Sequence, residues 1–127
     1  VGATTFVTGA RGESAGAAFR DAVESAQYES GHGGYTGTIA EKHSFNLLPV
    51  PAGVQPQSWP RIVLGACVYH GSTRESRAAE LKERHGLTDA QINVAFEQYE
   101  QVDDKWGPAG CVDLGDGKFA FFGWASE

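Results

Sequence analysis

Two short stretches concentrate the side chains able to bind or react. The first is Gly31-His32-Gly33-Gly34-Tyr35-Thr36-Gly37-Thr38-Ile39-Ala40-Glu41-Lys42, which holds four of the 17 glycines beside an imidazole, a phenol, a carboxylate and an amine. The second is Asp103-Asp104-Lys105-Trp106. His32 is of the type that serves as general base or metal ligand. The glycines of the first stretch, Gly33 and Gly34 among them, would free backbone N–H groups to cradle a phosphate. Adjacent carboxylates at Asp103 and Asp104 suit a divalent ion or a cationic partner.

Each of these chemistries meets a plainer alternative. Phosphate loops precede a helix, where the dipole is positive, whereas this glycine-rich stretch follows one. Neither GxGxxG nor GxxxxGK[ST] occurs, so a capped helix running into a permissive turn is the better reading. One histidine between glycines is more often an exposed loop residue. His43, His70 and His85 show no HxH, HxxxH or HExxH spacing, and no metal or cofactor is expected. The acidic pair also reads as a solvated helix end. Two carboxylates there would oppose the dipole by about 0.3–1 kcal/mol, which favours a specific partner for them. Ser14 and Ser72 read as helix caps rather than nucleophiles, and no GxSxG elbow is present.

The elements that must position these groups follow from periodicity. Residues 3–8 are β-branched and aromatic and predict a first strand. Ala15, Ala18, Phe19, Ala22, Val23 and Ala26 recur at helical spacing and predict a helix over 14–29, ended by Gly31. Residues 35–40 and 43–48 alternate and predict two strands joined near Glu41-Lys42. The stretch 49–60 holds four of the five prolines and predicts a loop. The apolar run from Arg61 to Tyr69 predicts a central buried strand. Ser72 with Glu75, and Thr88 with Gln91, read as capping boxes opening two helices, to about His85 and about Asp104. Cys111–Leu114 and Lys118–Ala125 predict a hairpin turning at Gly115-Asp116-Gly117. The sum is one α+β domain over 1–127. A mostly antiparallel sheet of five to six strands would carry one N-terminal helix and a helix pair.

Composition narrows the function classes. At 127 residues the chain can bury one core, and 41% apolar residues are ordinary for a water-exposed globular domain. A net charge of −6 argues against neutralising phosphates, so nucleic acid is an improbable partner, while a basic protein surface is compatible. The two late helices resemble a helix-turn-helix in outline, but Asp89, Glu97, Glu100, Asp103 and Asp104 give the second helix the wrong sign for DNA. No apolar window spans a membrane, and no signal-like start is visible, so a cytoplasmic location is expected. The absence of methionine suggests that a start Met was removed before Val1. Cys67 and Cys111 lie in apolar text and read as buried free thiols. Phe119, Phe121, Phe122 and Trp124 make both faces of the last strand apolar, which implies covering by protein or self-association.

The Gly31–Lys42 text resembles a group of small bacteriophage-encoded proteins of unknown function, notably from phages of actinobacteria. The likeness also takes in Ala17-Ala18-Phe19, Tyr28-Glu29 and Asp104-Lys105-Trp106-Gly107-Pro108-Ala109-Gly110, about a third of the chain. It implies a phage or mobile-element origin and an accessory role in the cytoplasm of the infected cell; no activity follows from it. The favoured expectation is a non-enzymatic binding module for a host macromolecule or small ligand. Its candidate surface is His32, Gly33, Gly34, Tyr35, Thr36, Glu41 and Lys42 with Asp103, Asp104, Lys105 and Trp106. The alternatives are a small hydrolase or transferase acting on a nucleotide-like ligand, and an oligomeric structural protein.

Overall fold

A computed structural model describes residues 2–127; the expected processing at Val1 lies outside the described residues. The chain runs β1 (Ala3–Arg11), α1 (Ala15–Ser30), β2 (Phe45–Leu47), α2 (Trp59–Leu64), α3 (Arg74–His85), α4 (Asp89–Tyr99), β3 (Ala109–Gly115) and β4 (Lys118–Ser126). Single 3-10 turns stand at Ile39–Glu41 and Pro56–Ser58. The class is α+β. Among the described residues there is one sheet of four strands, in the order β1-β4-β3-β2, rather than five or six. β4 pairs antiparallel with β1 and β3, and β2 pairs parallel with β3. No described helix is long and apolar enough to cross a membrane.

The two faces of β4 divide the core into two layers. Phe119 and Phe121 pack with Phe6 and with Ala18, Phe19 and Ala22 of α1 on one side. Phe122 packs with Val112 and with Trp59, Ile62, Val63, Ile92, Ala95 and Phe96 on the other. Each such apolar side chain, fully buried, stabilises by about 1.5–3 kcal/mol. The aromatic strand is therefore covered on both faces by its own chain, and its composition needs no second copy.

The helix starts follow their caps. Ser14 Oγ accepts from Ala17 N at 3.1 Å, and Thr88 and Gln91 form a reciprocal capping box. The box of α3 is one residue later than expected, Thr73 with Ser76, because Ser72 is used elsewhere. Its hydroxyl closes a turn on Tyr69, accepting from Tyr69 N at 2.9 Å and donating to Tyr69 O at 2.7 Å.

Three expected elements differ. The run 61–69 is a helix and turn, not a central strand: Pro60 stands in the first turn of α2, where its missing N–H leaves no gap. Trp59, fully buried, donates its indole N–H to Gln98 Oε1 at 2.7 Å, and Gln98 Nε2 donates to Pro49 O at 2.7 Å. The predicted hairpin over 35–48 is instead a turn-rich loop with the three-residue β2. Finally, α4 stops at Tyr99, not at Asp104. Cys67 is a partly exposed free thiol and Cys111 a buried one.

Candidate functional site

The Gly31–Lys42 loop is built by left-handed backbone and short hydroxyl side chains. Gly31, Gly34 and Gly37 have φ of 86°, 75° and 70°, and Tyr35 between them has φ of 60°. A bulky residue in this region costs roughly 1–2 kcal/mol, so the neighbouring bonds must hold it there. Ala40 N donates to Thr38 Oγ1 at 3.1 Å, and the Thr38 and Thr36 hydroxyls lie 2.8 Å apart. Thr36 then donates to Glu41 Oε2 twice, from Oγ1 at 2.7 Å and from N at 3.2 Å. The hydroxyls thus form a directed relay ending on a carboxylate, each donor finding one acceptor. Gly37 N donates to Ser126 O at 2.7 Å, tying the loop to the end of β4. A Cβ at Gly37 would stand 2.8 Å from Thr4 Cγ2, so glycine is required there by space as well as by φ.

Lys42 joins the two candidate stretches. It is 2% exposed, and its Nζ donates to the carbonyls of Asp104 at 3.2 Å, Lys105 at 3.4 Å and Gly107 at 2.9 Å. An ammonium has three N–H donors, and here all three are used on one turn. Burial lowers its pKa, and the nearby Asp104 carboxylate works against that shift. The turn is closed further by Asp104 itself, whose Oδ1 accepts from Trp106 N at 2.8 Å and whose carbonyl accepts from Gly107 N at 2.9 Å. Asp103 and Asp104 lie beyond the end of α4, so the expected clash with its dipole does not arise.

The product of this scaffold is an aromatic pair. Tyr35 and Trp106 meet edge to face, centroids 6.2 Å apart and planes at 84°, yet remain 56% and 62% exposed. Lys105 Nζ sits 5.2 Å from the Trp106 ring centroid and donates to Gly2 O at 3.3 Å. The exposed Asp103 and Asp104 precede Trp106 by three and two residues.

The structure therefore brings Tyr35, Thr36, Glu41 and Lys42 together with Asp104, Lys105 and Trp106, but gives several of them structural work. Lys42 is saturated, Glu41 Oε2 holds Thr36, and Asp104 shapes a turn. His32, Gly33 and Gly34 are exposed, and no hydrogen bond or ion pair joins His32 to the rest among the described residues. Among the described residues, no group of three His, Cys, Asp or Glu could hold a metal ion. Sequence reading missed Gly2, Gly107 and Ser126 as supports. They lie far from Lys42 and Gly37 in the chain, and no spacing announces such contacts. Of the clefts of about 250–420 Å³ on the surface, one is lined by Thr38 of the loop, and none of these includes Tyr35, Lys42 or Trp106.

Comparison with protein-family models, with curated proteins and with solved structures gives no match to this chain.

Proposed function

We propose that the chain is a non-enzymatic binding module, a phage-type accessory protein that docks on a host protein through Tyr35 and Trp106. The observation carrying this reading is the exposed edge-to-face pair, assembled from two distant segments and clamped by the buried Lys42. Large aromatic rings held rigid at a surface are the usual anchors of protein recognition, because little side-chain freedom is lost on binding. Asp104, bonded to Trp106 N, the exposed Asp103 next to it in the chain and the net charge of −6 favour a basic patch on the partner. An arginine stacking on the free face of Trp106 fits both features.

A photo-crosslinking residue placed at position 106, and separately at the exposed Tyr69 as control, tests this in lysate of producing cells. The expected result is one discrete protein adduct from position 106 that Tyr35→Ala removes. No adduct, or the same adducts from position 69, ends the reading. Turnover of a nucleotide or ester panel abolished by Asp104→Ala would replace it with the hydrolase alternative.

A further inference from the structure

The two edges of the sheet are treated differently. On one side β2 is three residues long and runs into Pro49 and Pro51, which cannot donate to an added strand. On the other side β1 is nine residues long, contains no proline, and carries one charge, Arg11, at its far end. Gly2 and Glu127 exchange N–H to O bonds at 3.0 and 3.2 Å, and Gly12 N donates to Gly117 O at 3.0 Å. The antiparallel register is unbroken between them, so the even-numbered residues of β1 are the ones bonded to β4. The N–H and C=O groups of Ala3, Thr5, Val7, Gly9 and Arg11 consequently point outward. No backbone partner meets them among the described residues.

Beside this edge α1 forms the second wall of a groove of about 250 Å³, lined by Thr8, Gly9, Thr38 and the exposed helix side chains Asp21, Ser25 and Glu29. Asp21, Ser25 and Glu29 recur every four residues, so one helix face presents two carboxylates about 12 Å apart to the groove. Thr5 and Gly9 are exposed, so solvent rather than another segment meets the strand at these positions. On the opposite sheet face, a shallow cleft at the same end is lined by Gly9, Arg11, Leu114 and Lys118.

We propose that this groove takes an extended peptide as an added strand on β1, with lysine or arginine at two positions four residues apart facing Asp21 and Glu29 and uncharged residues on the opposite face. Main-chain bonds to the odd-numbered residues supply the attachment, and the period-two alternation of a strand supplies the selectivity. A second copy of the chain is the competing occupant, and charge disfavours it. Two-fold pairing of β1 about Val7 would bring both α1 helices, with Asp21 and Glu29 of each, to one seam between chains of charge −6. The site is separate from the Tyr35–Trp106 pair and stands or falls independently of it.

The test is selection from a library of random nonapeptides displayed on beads, followed by amide hydrogen exchange with the winning peptide. The expected winners carry Lys or Arg at two positions four residues apart and slow exchange at Thr5, Val7 and Gly9. Gly9→Pro removes one outward donor without breaking an internal bond, so it should weaken binding at least tenfold with an unchanged circular dichroism spectrum. Asp21→Asn with Glu29→Gln should weaken it several-fold through charge alone. An empty selection, acidic winners, or winners indifferent to both variants overturn the proposal. So does free protein that sediments as a dimer with these three amides already protected.

Discussion

Lys42 illustrates how a reactive residue type can be spent on architecture. Its three hydrogen bonds go to main-chain carbonyls that hold Trp106 against Tyr35. Lys42→Met keeps the aliphatic stem and removes the donors, leaving three carbonyls to find water. A loss of about 2–3 kcal/mol in urea unfolding is expected, with increased mobility of Trp106 by fluorescence anisotropy. Cys111 gives a pH signature. Burial, with Asp113 adding to it, pushes its thiol up to about 12 from the ordinary 9.0. The unfolded chain therefore releases this proton first, so the stability it confers is full below about pH 9 and is lost towards pH 12. Tyr99, also pushed up by burial beside Cys67, adds to the alkaline loss, whereas the lowered Lys42 acts in the opposite sense. Replacing Cys111 by Ala should flatten the fall of unfolding free energy between pH 9 and 11; an unchanged slope would refute the assignment.

At the scale of elements, one tight joint is where the segment after α4 crosses β3 and β4. A Cβ on Gly110 would lie 2.8 Å from Phe122 Cζ and 2.9 Å from Val102 Cγ1, both buried. Gly110→Ala should therefore cost about 1–3 kcal/mol by overpacking, read as a lower denaturation midpoint at constant m-value. Gln98→Leu strands the buried indole N–H of Trp59 and removes the donor to Pro49 O, for a loss of similar size. This second joint is also where sequence reading failed. Ile62-Val63-Leu64 is a short apolar run, and periodicity cannot separate a strand of that length from a buried helix. The one distinguishing signal is Pro60 in a first-turn position, and the three prolines just before it conceal it. Where local chemistry decides the outcome, the text was readable: Ser14, Thr88 with Gln91, and Gly86 mark helix ends that the structure keeps. In residues 35–40 the alternation mimicked a strand because threonine hydroxyls were bonding to nearby backbone instead. The joining of the two candidate stretches rests on contacts 62–65 residues apart, a separation no local pattern reports.

For the molecule as a whole, a net charge of −6 sets the conditions under which the proposed basic partner would be met. A chain of charge −6 approaching a basic protein is steered by long-range attraction, which salt screens with a Debye length of about 10 Å at 0.1 M. Raising ionic strength from 0.05 to 0.5 M should slow association by roughly tenfold or more while leaving dissociation nearly constant, measurable by stopped flow. A rate indifferent to salt would place the recognition in the rings alone.

The strand ends that frame the sheet have a practical corollary. Gly2 and Glu127 are bonded to each other, Gly2 O also receives Lys105, and Ser126 O receives Gly37. Anything spliced onto either terminus thus emerges alongside the aromatic pair, where an affinity tag would shade it. Circular permutation offers a remedy. Bridging the two ends with a few glycines and reopening the chain near the exposed Ala52-Gly53 would move both new termini to another part of the surface and leave Tyr35 and Trp106 clear.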